Sequence, residues 1–156
     1  SSWSTSGALN TSRQTSDAGG GTQTAGITFG GENSGTDKLT NSEEYNGTAW
    51  TEGNDLNTAT KRNSGGGTSV PTTLALGGQS ATHGPGTAQV EIYNGTSWAT
   101  TAAMATARSQ IGKTQGNSAS ALVNNGNNAS DAYIVTTEEF TGETTAANAA
   151  KTIDFD

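Results

Sequence analysis

Few residues in this chain have types suited to catalysis or metal binding. Two carboxylate pairs, Glu43-Glu44 and Glu138-Glu139, are the first candidates for acid and base work. Neighbours on a strand point to opposite faces, so neither pair faces one substrate. A solvated face is the expected setting for both. Glycoside hydrolysis needs two carboxylates across a cleft, and no spacing here supplies that. His83 is the single histidine and lies in Ala81-Thr82-His83-Gly84-Pro85-Gly86, a loop by its Gly and Pro content. One His excludes a multi-His metal site, and no nucleophile elbow accompanies it. There is no Cys, so there is no thiolate nucleophile, thiolate metal site or disulfide frame. Two polar loops carry oxygen ligands: residues 32–37 with Glu32, Asn33 and Asp37, and residues 124–131 with Asn127 and Asp131. Calcium takes six to eight oxygens, but neither loop has EF-hand spacing, and turn chemistry accounts for both compositions. No enzyme, cofactor or metal is expected. These loops and His83 are read as contact positions for partners.

Charge narrows the partners. Seven Lys or Arg stand against 14 Asp or Glu, for a net charge of −7. A nucleic-acid track needs clustered cations, and an anionic membrane surface attracts them too. Neither partner is expected. No run approaches the ~18 apolar residues of a membrane helix. Hydrophobic residues are 29% and charged residues 13%. Disordered chains are usually highly charged, so regular turn residues at low charge point instead to short strands and tight turns. The chain begins at Ser1 and is expected to be processed, trimmed or part of a longer product.

The elements are set out by a recurring stretch. Tyr45-Asn46-Gly47-Thr48-Ala49-Trp50 returns as Tyr93-Asn94-Gly95-Thr96-Ser97-Trp98, 48 residues on, and Trp3 stands 47 residues before Trp50. Leu9, Leu56 and Met104 each lie six residues after a Trp. Arg13 and Arg108 follow at equal spacing, with Arg62 displaced by two. Gly-rich segments and short apolar runs come next, the first two closing in Gly30-Gly31 and Gly77-Gly78. Asn124-Asn125-Gly126 stands there in the third. Then come Glu43-Glu44-Tyr45, Glu91-Ile92-Tyr93 and Glu138-Glu139-Phe140. Such a period marks a repeat architecture. The expected fold is all-β: three four-stranded repeats at about 3–49, 50–97 and 98–142, and a tail at 143–156. In the first repeat the strands are placed at Gln14–Ala18, at Ala25–Phe29, ending at Tyr45, and through Trp50. Asn46-Gly47 and Asn94-Gly95 signal two-residue type I′ hairpins, which also explain two of the four Asn-x-Ser/Thr sequons at Asn10, Asn46, Asn94 and Asn128. Thr144–Lys151 has the Ala content for a short helix, and Thr152–Phe155 alternates like a closing strand.

Arg, then Gly, then an apolar strand ending in Gly-Gly, then Tyr, then Trp after a short turn: this unit resembles a kelch repeat of a β-propeller. Gly21 to Gly31 and Glu43 to Trp50 look like the kelch-like arrays of tailed-phage virion proteins, common in marine and cyanobacterial phages. The resemblance implies a structural or adhesive virion component, without catalysis: a tail-fibre, adhesin or decoration part whose partners are other virion proteins, copies of itself or a host surface glycan. The alternative is a secreted, extracellular bacterial adhesin or carbohydrate-binding module. Kelch-type copper oxidases use a Cys–Tyr cross-link and His ligands, and sialidase propellers an Asp-containing box before Trp; this chain has neither. The resemblance implies that Arg13 and Arg108 bond backbone between blades, with a ligand contact as the alternative. The regular place of Trp50 and Trp98 in the repeat points to packing between blades, with stacking on sugars as the alternative.

The pattern breaks at its ends. Trp3 has no Tyr before it, and Phe140 has no Trp after it. The N-terminal strand is therefore expected to complete the last blade, within one chain, between two chains giving six blades, or in a longer array. The rival is that Thr152–Phe155 supplies the missing strand.

Overall fold

The computed structural model describes residues 1–14, 18–35, 37–80, 86–128 and 130–142. His83, Thr144–Lys151 and Thr152–Phe155 lie outside them. The fold is all-β, with three antiparallel sheets. Sheet 1 holds β1 (Gly19–Thr22), β2 (Ala25–Phe29), β3 (Ser42–Tyr45) and β4 (Trp50–Glu52). Sheet 2 holds β5 (Ser64–Gly66), β6 (Leu74–Leu76), β7 (Val90–Tyr93) and β8 (Trp98–Thr100). Sheet 3 has, among the described residues, β9 (Gln115–Gly116), β10 (Ser120–Val123) and β11 (Glu138–Thr141), one strand fewer than expected. Among the described residues, the sheets do not close into a ring or barrel, and no helix is long and apolar enough to cross a membrane.

Period-two alternation lets each sheet show a different set of side chains to each neighbour. In β6, Ala75 faces sheet 1, packing with Phe29, Tyr93 and Trp98. Its neighbours Leu74 and Leu76 face sheet 3, packing with Ile111, Ala121 and Val123. The apolar residues thus form two layers between three sheets, so each repeat buries its faces only against its neighbours. Phe29 and Trp98 meet edge to face at 4.8 Å across the first layer.

Two expectations need correction. Among the described residues the first strand is Gly19–Thr22; of the expected Gln14–Ala18, residues 15–17 lie outside the described ones, and Gln14 makes a lone bridge to Glu32. The inner strands of neighbouring sheets run so close that they must be glycine-rich. A Cβ on Gly65 would lie 2.4 Å from the Gly19 backbone, and the Gly21 N–H donates to the Gly67 carbonyl at 3.0 Å. The hairpins are also not two-residue type I′ turns. Tyr45 pairs with Trp50, enclosing four residues, whereas a two-residue turn would set Tyr45 opposite Thr48. Asn46 has no positive φ; only Gly47 does, at 94°. The Asn46 side-chain oxygen accepts the N–H of Thr48 and Ala49, both at 2.9 Å, an Asx-type turn. Asn94 does the same with Thr96 and Ser97, beside Gly95 at 96°. The longer loop puts Tyr and Trp directly opposite, with ring centroids 5.0 Å apart in both sheets.

Trp98 is buried between two sheets, while Trp50, on the outer face of sheet 1, is half-buried. Trp98→Ala is expected to cost about 3–5 kcal/mol in urea unfolding, the usual range for a buried aromatic. Trp50→Ala should cost clearly less.

Candidate functional site

The carboxylates expected to face solvent are where the repeat concentrates its polar chemistry. Glu43 and Glu91 are buried and Glu138 is half-buried. Each sits two residues before the strand's aromatic, in the first half of the third strand of its sheet. Glu43 accepts the backbone N–H of Asn10 at 2.7 Å and of Thr11 at 3.0 Å, together with the Asn10 side-chain amide at 3.0 Å. Glu91 accepts the N–H of Asn57 at 2.8 Å and Thr58 at 3.1 Å, with the Asn57 amide at 2.9 Å. Glu138 accepts the N–H of Ala105 at 2.6 Å and Thr106 at 3.1 Å. In all three, one carboxylate clasps two consecutive amides of the segment that leads into its sheet. A charge buried this way is tolerated because its acceptor sites are filled.

Cations complete two of the clasps. Arg13 donates to Glu43 at 2.8 Å and to the carbonyls of Gly30 and Asn41 at 3.0 and 2.8 Å. Arg108 donates to Glu138 at 2.5 Å and to the carbonyls of Asn125 and Thr136 at 3.0 and 3.3 Å. These arginines therefore bond backbone within one sheet rather than between sheets, because the lead-in segment that carries each one lies along its own sheet. In the second repeat Arg62 is not the counterpart; it is exposed at φ 57°. Thr60 holds the equivalent position, and the Gln89 amide instead reaches Glu91 at 3.1 Å and the Thr58 hydroxyl at 2.7 Å.

The glycine pairs join one repeat to the next. Gly30 and Gly77 have φ 61° and 59°, and Gly31 and Gly78 have 93° and 91°. The Gly31 N–H donates to the Thr60 carbonyl at 2.9 Å, and Gly78 to the Arg108 carbonyl at 3.0 Å. The third repeat keeps this bend without its first glycine: Asn125 takes φ 57° and Gly126 100°. Asn enters the left-handed region more readily than most side chains.

The loop residues read as partner contacts are tied into the fold. Glu32 pairs with Lys61 at 2.6 Å, joining the first repeat to the second. The Asn33 side-chain oxygen accepts the N–H of Gly35 and Asp37, at 2.9 and 3.0 Å. Asn127 bridges Ser109 and Tyr133. Asp131, at φ 56°, donates its N–H to the Asn128 carbonyl at 3.1 Å. Among the described residues, no three His, Cys, Asp or Glu side chains are grouped to hold a metal ion.

Two concave features stand apart from the clasps, one of them apolar. A groove of about 460 Å³ runs between sheets 2 and 3, lined by Leu76, Met104, Ala121, Val123 and Phe140. A second, wider and more polar hollow lies on the outer face of sheet 1, where residues 1–6 pass over Tyr45 and Trp50. The Ser6 and Tyr45 hydroxyls are hydrogen-bonded there.

A general base is tuned toward neutral pH; these glutamates are tuned the other way. Burial pushes the Glu43 carboxyl up, but the N–H groups of Asn10 and Thr11, then Arg13 and the Asn10 side chain, outweigh it and hold the group below its ordinary value. Glu138 behaves alike: burial raises it, and Ala105, Arg108 and Thr106 bring it below the usual range. Burial, and then the bond to Glu44 and its charge, push the Tyr93 phenol upward. For the two glutamates the folded chain holds its protons less tightly than the unfolded chain. Their contribution is complete above the unfolded carboxylate pKa, about 4.3, and is lost as pH falls through the folded value. Urea midpoints should be level near neutral pH and fall below about pH 4. Glu43→Gln should cost about 3 kcal/mol at pH 7, through buried donors left facing an amide, and should make the acid loss shallower than in the parent chain.

No family model matches this sequence, and no curated protein matches it. Solved structures do match. One, described as "Structure of YjhT", superposes at a TM-score of 0.69 with 11% identity, over 82% of this chain and 43% of that one. At that identity the likeness speaks for the fold alone, and this chain accounts for less than half of the solved chain's length.

Proposed function

We propose that this chain is a non-enzymatic structural component of a tailed-phage virion, built of kelch-like propeller blades, each sheet being one blade. It serves as a fibre, adhesin or decoration part, and its partners are other virion proteins and its own copies. The non-enzymatic half rests on the use of Glu43, Glu91 and Glu138, which recur at the same place in each repeat and whose carboxylates are filled by backbone amides. A carboxylate whose acceptor sites are so saturated is a poor proton shuttle. The phage half rests on the likeness of residues 21–31 and 43–50 to phage kelch-like arrays. The propeller reading is supported by strands in sequential order within each sheet and by apolar layers between successive sheets.

One observation favours a second reading, a carbohydrate-binding adhesin. Tyr45 and Trp50 are only half-buried and border the hollow on sheet 1, and a partly open aromatic pair is a platform on which sugars stack.

Mass spectrometry of virions purified from the source phage should find this chain, and a panel of glycosidase and esterase substrates should show no turnover. Absence from washed particles would overturn the virion reading. Binding on a glycan array that Trp50→Ala abolishes would favour the adhesin.

A further inference from the structure

We propose that the groove between sheets 2 and 3 receives Trp3 of a second copy of this chain, whose residues 3–5 add a fourth strand along β11, the outer strand of sheet 3 among the described residues. Sheets 1 and 2 end with a Trp opposite a Tyr, in the pairs Tyr45–Trp50 and Tyr93–Trp98. Sheet 3 ends at β11, where Phe140 occupies the Tyr position and no strand lies beyond it among the described residues.

The groove has the lining of a tryptophan slot. Trp98 packs in a layer with Phe29, Leu56, Ala75 and Tyr93. The strand registers map Phe29, Ala75 and Tyr93 onto Leu76, Val123 and Phe140, and Leu56 corresponds to Met104, each six residues after a Trp. All four line the groove. Trp3, meanwhile, is fully exposed (103%).

Trp3 also stands to sheet 1 as Trp50 stands to sheet 2. Seven residues after Trp50, Asn57 and then Thr58 donate to Glu91; seven residues after Trp3, Asn10 and then Thr11 donate to Glu43. The stretch through Trp3 is thus the outer strand of a sheet that precedes sheet 1. The links between successive sheets run on in the same way. Gly31 donates to the Thr60 carbonyl and Gly78 to the Arg108 carbonyl. The next pair in that series is the Gly126 N–H and the Arg13 carbonyl, and neither has a partner among the described residues. The Tyr93 hydroxyl bonds Glu44 of the sheet before it; the next such pair is Tyr45 with Glu139, which is exposed.

The occupant is a second copy rather than the chain's own N-terminus. Residues 1–6 lie on sheet 1, whereas the groove lies beyond sheet 2. Two copies joined at both ends give six blades, within the usual range of about four to eight, where three fall short. This count rests on the propeller reading; the docking of Trp3 does not.

The absence of native Cys makes the contact directly testable. Ser4 would lie opposite Glu139, as Thr51 lies opposite Glu44, and directly opposed side chains are within disulfide reach. Ser4→Cys and Glu139→Cys chains, mixed and mildly oxidised, should give a covalent heterodimer of twice the 15.7 kDa chain mass. Sedimentation of the unmodified chain should show two copies. Trp3→Ala should weaken that association by about 30-fold or more, the scale of a central interface tryptophan, with an unchanged circular dichroism spectrum. Oligomers longer than two would support the docking and overturn the six-blade count. A disulfide formed inside a monomeric Ser4→Cys/Glu139→Cys chain would overturn the proposal, as would an unmodified chain that stays monomeric or a deletion of residues 1–6 that leaves the oligomer intact.

Discussion

Each repeat depends on one interaction: a carboxylate on the third strand holding two consecutive backbone amides of the incoming segment. With 29% hydrophobic residues, the apolar layers are thin, and side chains such as Thr28 and Ala75 leave much of the sheet face small. The segment that leads into each sheet lies outside the strand ladder, so its amides need other acceptors. Glu43, Glu91 and Glu138 provide them. Because the acceptor is charged and sheltered from water, each bond is stronger than its neutral counterpart. The clasp fixes where the segment passes, and that fixes where the next inner strand begins.

Around this clasp the repeat varies its parts while keeping its geometry. Arg13 and Arg108 neutralise their glutamates, whereas the second repeat uses the neutral Gln89 amide beside Glu91. Two repeats bend through Gly-Gly and the third through Asn125-Gly126. The same acceptor, the same bend and the same cross-strand aromatic can therefore be met by different residue types, provided each supplies a donor, a left-handed backbone or a flat apolar face. The two layers between sheets are built on one rule, alternate residues of a strand packing to opposite sides. That rule is satisfied twice among the described residues, between sheets 1 and 2 and between sheets 2 and 3.

Much of this was legible in the sequence. The spacing of Trp3, Trp50 and Trp98 marks the repeat, and β2 and β4 follow from the apolar run and the position of Trp50. The break at Phe140 appears, among the described residues, as a three-stranded sheet. Three features escaped for physical reasons. A Gly-Gly-Gly-Thr stretch has no strand signal of its own; it is a strand because neighbouring backbones leave no room for side chains. Asn-Gly signals a tight hairpin, but the pairing of Tyr45 with Trp50 sets the register, and the Asn side chain closes a longer loop. Glu43 and Glu138 sit in pairs that read as solvent-facing, and burial of the first member depends on amides more than 30 residues away in the chain. The recurrence of Glu two residues before each aromatic was the one visible signal of the clasp. Turn and strand propensities are local, whereas clasp and register are set across the repeat, and this is where the two part.

Amide hydrogen exchange of the intact chain tests the clasp most directly. The N–H groups of Asn10, Thr11, Asn57, Thr58, Ala105 and Thr106 lie outside any strand, yet each donates to a clasping glutamate. They should exchange as slowly as the central strand amides of β3 and β7, opening only with the sheets themselves. Exchange at the rate of exposed loop amides, with the strands still protected, would contradict the account.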